Sequence, residues 1–363
     1  MQSIKLNSCY QKQKKEQNDQ NKQTLLTHYA SQLQELGNVY LFLNKLEESL
    51  EIYQLAQKQY QIIDPEGNSK QYLQLMEIMS SIYIDMNQVE QGQKQMEIIM
   101  QKIGPQPQNP ELIELYLRIA FNMSKLYYNA NLIEESENYA KKLLQVKNKD
   151  KYIPLEAQLQ IYEFITQLMI TKQDYQQAQQ FINILNEYIN LADAQESDYQ
   201  ALSHLYQGHI YLNNDDKIKA IEQLQKSAIV AEKVMGKEND VYIEASITMG
   251  LTQIGHGMDQ KDSNSVQQGV NGLLELIDIV KTQVQFVFQQ SRIYQILAAG
   301  YNYLGETEKA LQMLENYKNS KFEMFELLEQ EGQQVEEQKK EILEYVESQK
   351  QLFQQQANDK KQN

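Results

Sequence analysis

Ser49, Gly92, Ser136, Ala178, Ala220, Gly269 and Ala310 are small residues set among large, helix-favouring neighbours, at intervals of 43, 44, 42, 42, 49 and 41 residues. A second small-residue series precedes it: Gly37, Ser80, Ser124, Thr166, Gly208, Gly250 and Ala298. Small side chains paired in this way let two helix axes approach closely. A glycine inside a helix costs about 1 kcal/mol against alanine, so Gly208 needs a packing reason. Three residues after the second series a large wedge recurs as Tyr40, Tyr83, Tyr127, Met169, Tyr211 and Tyr301; Gln253 breaks the rule in the sixth unit. The chain therefore reads as seven helix–turn–helix units of one kind.

Composition supports helices throughout. Only five Pro and 14 Gly punctuate 363 residues, and a chain this long requires more than one compact core or a repeat array. The net charge of −15, with Arg118 and Arg292 as the sole arginines, disfavours nucleic acid as a partner. A single cysteine, Cys9, allows no internal disulfide, and no apolar run reaches about 18 residues, so no membrane span is expected. Cytoplasm is the default compartment, with cytoskeletal or ciliary association and organellar import as alternatives.

The small-residue and wedge pattern, best seen in LQELGNVYLFLNKLEESLEIYQLA and again from His204 to Gly250, resembles the tetratricopeptide repeat. The resemblance implies an all-α, right-handed solenoid of about seven helical hairpins, each with an A and a B helix, followed by a capping or projecting C-terminal helix. The expected organisation is a disordered basic tail over 1–23, the solenoid over 24–318, a C-terminal helix over 319–357 and a tail over 358–363. A period near 42 together with the linker AEKVMGKENDVYIEAS is similar to the kinesin light chain group. The 49-residue interval is expected to place seven extra residues in one turn, within 255–265. In the C-terminal segment FEMFELLE is expected to cap the array, whereas EQKKEILEYVESQKQLF reads as too polar for burial and suits a projecting helix or weak coiled-coil self-association.

No nucleotide-binding or nucleophile motif is present, and His204 and His209 are spaced wrongly for one metal-binding face; no enzyme, cofactor or metal is expected. Function then falls to the inner face of the A helices. The family resemblance places Asn38, Arg118, Phe121, Asn122, Lys125, Tyr128, His209 and Arg292 there. Arg118, Asn122 and Lys125 share one helix face and form a candidate basic cluster flanked by Phe121 and Tyr128. Some tetratricopeptide proteins clamp a chaperone's terminal carboxylate; Asn38 matches that pattern, but Gln34 and Asn122 depart from it. The expected role is a non-catalytic scaffold holding a partner peptide or helix. The alternative is a fixed structural subunit of a large cytoskeletal, ciliary or organellar assembly.

Overall fold

A computed structural model describes the backbone of residues 2–147, 149–281, 283–330 and 332–362, and side chains within 22–359 apart from 148, 282, 284 and 331. Those residues form fifteen α-helices and no strand, and none of the helices is long and apolar enough to cross a membrane. The chain divides into two compact units, Met1–Pro154 and Leu155–Asn363.

The first unit holds three hairpins: α1 (Gln2–Phe42) with α2 (Leu46–Ile63), α3 (Lys70–Asp85) with α4 (Val89–Ile103), and α5 (Pro110–Asn129) with α6 (Ile133–Leu144). The second holds four: α7 (Leu155–Thr171) with α8 (Tyr175–Leu191), α9 (Asp198–Asn213) with α10 (Lys217–Met235), α11 (Asp240–Gln260) with α12 (Ser263–Val280), and α13 (Val287–Leu304) with α14 (Thr307–Gln330). A last helix, α15 (Glu336–Gln362), follows.

In the first three hairpins the two small-residue series meet through hydrogen bonds. The Ser49 hydroxyl donates to the Gly37 carbonyl at 2.9 Å, Ser80 to the Gly92 carbonyl at 2.8 Å, and Ser124 and Ser136 donate to each other's carbonyls at 2.7 and 2.8 Å. Where glycine stands, bulk forbids anything more: a Cβ on Gly208 would lie 2.8 Å from the Leu224 side chain, and one on Gly250 2.6 Å from Leu273.

The turn that closes each hairpin is equally regular. One left-handed residue ends every A helix: Asn44, Asn87, Asn131, Gln173, Asp215, Lys261 and Gly305, with φ between 55° and 81°. The next N–H reaches back to the wedge carbonyl, as in Lys45 to Tyr40, Gln88 to Tyr83, Asp216 to Tyr211 and Glu306 to Tyr301. This is the Schellman closure, and asparagine suits it because its short polar side chain tolerates a left-handed backbone.

Four expectations need correction. In the sixth hairpin the closing bond runs from Asp262 to Gly257, not to Gln253, and the small residues Gly250 and Gly269 still pack together. The seven extra residues therefore lengthen α11 by four and α12 by three instead of enlarging the turn. Each is about one helical turn, so both helices keep their faces. Second, α1 starts at Gln2, so the segment read as a basic tail is helical in backbone; Gln, Lys and Glu favour helix, and extending an existing helix carries no nucleation cost. Cys9 lies outside the described side chains. Third, the segment expected as one C-terminal helix over 319–357 is divided: α14 continues to Gln330, and α15 runs through the residues assigned to a tail.

Fourth, α15 neither projects nor stays solvated. Past Gly332, whose φ of 84° reverses the chain, Val335, Val346 and Phe353 become buried. Val346 and Phe353 join the core formed by α11 to α14. Tyr345 packs edge-on against Tyr317 with centroids 5.8 Å apart, and Lys350 pairs with Glu315 at 3.1 Å. A helix needs only one apolar stripe to dock, and a polar average conceals it.

Candidate partner-binding surface

In the first unit, α1, α3 and α5 together wall a recess of about 570 Å³ that includes Gln34, Glu77, Asp85, Arg118 and Asn122. Its dominant feature is a two-pronged ion pair. Arg118 donates from Nε and from its second terminal nitrogen to the two oxygens of Glu77, both at 2.6 Å, and reaches Glu114 at 3.4 Å. Hydrogen bonding to Glu77 pushes the Arg118 pKa up, so the guanidinium stays charged. With Glu77 buried, this planar pairing joins α3 to α5 and consumes the charge expected to face a partner. Lys125 is exposed and lies over the Phe121 ring at 5.5 Å, and Tyr128 is half-buried. Asn38 accepts from the Tyr53 hydroxyl at 2.5 Å, which ties it to α2. Arg118 and Asn122 thus come together in one recess, where Glu77 neutralises Arg118.

The second unit repeats the device. Arg292 on α13 donates to both oxygens of Glu244 on α11, at 2.7 and 3.2 Å, and the Thr248 hydroxyl adds a bond at 3.2 Å. His209 on α9 sits beside them. Burial pushes its pKa down, Arg292 pushes the same way and Glu244 opposes, so the ring is neutral at pH 7. His204, five residues earlier, bonds to Gln200 and Gln223 instead. Among the described residues no cluster of three or more His, Cys, Asp or Glu could hold a metal.

Arg292 also borders a recess of about 1120 Å³ between α11, α13, α14 and α15. Its wall mixes apolar side chains (Leu251, Met258, Ile296, Phe353) with amides (Gln295, Asn302, Gln349, Gln356). Two bonds hold α15 along α13: Gln295 donates to the Tyr345 hydroxyl at 2.9 Å, and Asn302 donates to Gln356 at 2.8 Å. The α15 contributors escaped sequence reasoning because that segment read as solvated. The available signal was the spacing of Tyr345, Gln349, Phe353 and Gln356, which puts them on one side of a helix.

No family model matches the chain, and no curated protein does. A solved tetratricopeptide repeat protein from Parabacteroides merdae is similar, at 11% identity, over 87% of this chain and 98% of that one, with a TM-score of 0.52. The chain has the tetratricopeptide-repeat fold. BtubC from P. vanneervenii (12% identity, 69% of this chain, 92% of that chain, TM-score 0.48) and the apo form of RapI (13%, 91%, 99%, 0.48) are similar at lower TM-scores. None of these likenesses singles out the kinesin light chain group from other tetratricopeptide proteins. The tetratricopeptide fold accounts for the paired small residues and the A-helix surface; it leaves the partner open.

Proposed function

We propose that this protein is a non-catalytic interaction scaffold that holds a peptide or helix of a partner protein against its A helices. The observation that supports this most is the recess between α11 and α15. It is open, large enough for several side chains, and lined by apolar groups alternating with amides that can both donate and accept. Such a wall suits a segment that inserts one or two apolar anchors and presents backbone groups to Gln295, Asn302 and Gln349. Neither arginine is a free carboxylate clamp. A partner carboxylate drawn to Arg118 would compete with Glu77 and leave that buried group unpaired, which is costly. Among the proposed groove residues Lys125, Asn122 and Phe121 are therefore better placed for contact than Arg118, and His209, Asn38 and Arg292 serve to shape the wall. Tyr128 adds apolar area. Weak self-association through α15 would rest on Leu343 and Leu352, the large apolar side chains that stay exposed there, which is little area.

Cross-linking and mass spectrometry from native extract tests the reading. Ile296→Glu/Tyr303→Glu in the second unit and Asn122→Asp/Lys125→Glu in the first are each compared with wild type, with circular dichroism as the folding control. At least one pair of substitutions is expected to remove a recovered partner while leaving helicity intact. If both variants recover the wild-type set, the A-helix surface is not where partners dock.

A further inference from the structure

The first hairpin carries an apolar face that nothing among the described residues covers. Leu25, Tyr29, Gln32, Leu36, Val39 and Leu43 follow one another at steps of four, three, four, three and four, a single stripe along α1. Tyr29 is 50% exposed, Leu36 43%, Val39 54% and Leu43 57%. The same register in the second hairpin is Tyr72, Leu75, Met79 and Ile82, at 7%, 0%, 1% and 1%. In the third it is Tyr116, Ile119 and Met123, again buried. In hairpin two, Tyr72 of this face bonds to Gln57 and Gln61 of the preceding hairpin. Hairpin one has the face, and among the described residues nothing packs on it.

The face extends onto α2. Gln54, Gln57 and Gln61 bond to Tyr83 and Tyr72 of α3 on one side of that helix. Ile52, Leu55 and Ile62 lie on the opposite side, and Leu55 and Ile62 are exposed. Both apolar series thus point away from α3.

We infer that two copies of this chain pair through α1, antiparallel about a two-fold axis near Gln34. The step pattern reads the same in both directions, so an antiparallel copy sets Leu25 against Leu43, Tyr29 against Val39 and Gln32 against Leu36, with no stripe residue left facing water. Charge supports the pairing at both ends: the exposed Lys22, one heptad before Tyr29, reaches the level of the exposed Glu47 and Glu48 in the first turn of α2 of the other copy. Glu35 flanks the axis and meets its own symmetry mate, a like-charge contact that salt screens. On α15, by contrast, Val346 and Phe353 are used internally. This pairing does not depend on what the A-helix surface binds.

Sedimentation and light scattering of the full chain over a concentration series test it. Wild type is expected to dimerise, and Leu36→Asp/Val39→Asp to weaken association by about a hundredfold or more while leaving the thermal midpoint of the monomer in place. In a Cys9→Ser background, Tyr29→Cys/Val39→Cys is expected to oxidise to a covalent dimer; the two positions are about 15 Å apart along one helix and cannot bridge within a chain. A wild type that stays monomeric at every concentration, or a dimer that survives Leu36→Asp/Val39→Asp, overturns the inference. So does a dimer abolished instead by Leu343→Asp/Leu352→Asp.

Discussion

Glycine at a helix–helix contact and glycine on a helix surface look alike in a sequence, and this chain carries both within one hairpin. A Cβ on Gly250 would stand 2.6 Å from Leu273, deep in the core; a Cβ on Gly272 meets nothing within 4 Å. Gly250→Ala is expected to lose about 1–3 kcal/mol through overpacking, against a gain of up to about 1 kcal/mol in helix propensity. Gly272→Ala is expected to gain about 0.5–1 kcal/mol. Thermal melts of the two variants should move in opposite directions; a shared direction would mean that the Gly250 contact does not hold the helices together. The small-residue register was legible because its cause is steric and local to one hairpin. Arg118 and Glu77 are 41 residues apart, and nothing near either announces the other. The two arginines read as groove residues facing a partner, whereas they join neighbouring A helices through Glu77 and Glu244.

At the scale of the element, α15 shows how little apolar content docks a helix. Two buried side chains, Val346 and Phe353, anchor a 27-residue helix whose mean character is strongly polar. Each is worth roughly 1.5–3 kcal/mol as an upper bound for full burial. Truncation after Gln330 is expected to lower the thermal midpoint and raise binding of a hydrophobic dye, because Leu297, Leu314 and Tyr317 belong to the core that α15 completes. An unchanged melt with no added dye binding would show that α15 is not a cap. The lengthened hairpin of α11 and α12 gives the complementary lesson. Seven residues rich in Gly, Asp, Asn and Ser read as loop, yet they divide as four and three, one turn apiece, and Gly257 tolerates helix because Val266 packs where its side chain would be. Turn chemistry alone could not reveal this, since it depends on where the closing Schellman bond falls.

The whole molecule carries a net charge of −15. Self-repulsion on that scale opposes folding and is screened by salt, whereas the ion pairs of Glu77 and Glu244 are partly buried and screened less. The thermal midpoint is therefore expected to rise between about 10 mM and about 150 mM sodium chloride, as the screening length falls from about 30 Å to about 8 Å. A fall would mean that surface ion pairs outweigh net repulsion. What the sequence determined by itself was the repeat: its all-helical character, the seven hairpins, the small-residue contacts and the tyrosine wedges all follow from propensity and sterics over a few tens of residues. The tertiary structure alone decided three things: which carboxylates the two arginines hold, that the polar C-terminal helix folds back to wall a large recess, and that among the described residues one face of α1 is left bare. Each depends on groups distant in sequence arriving within a few ångströms of each other, or failing to, and local chemistry carries no record of that.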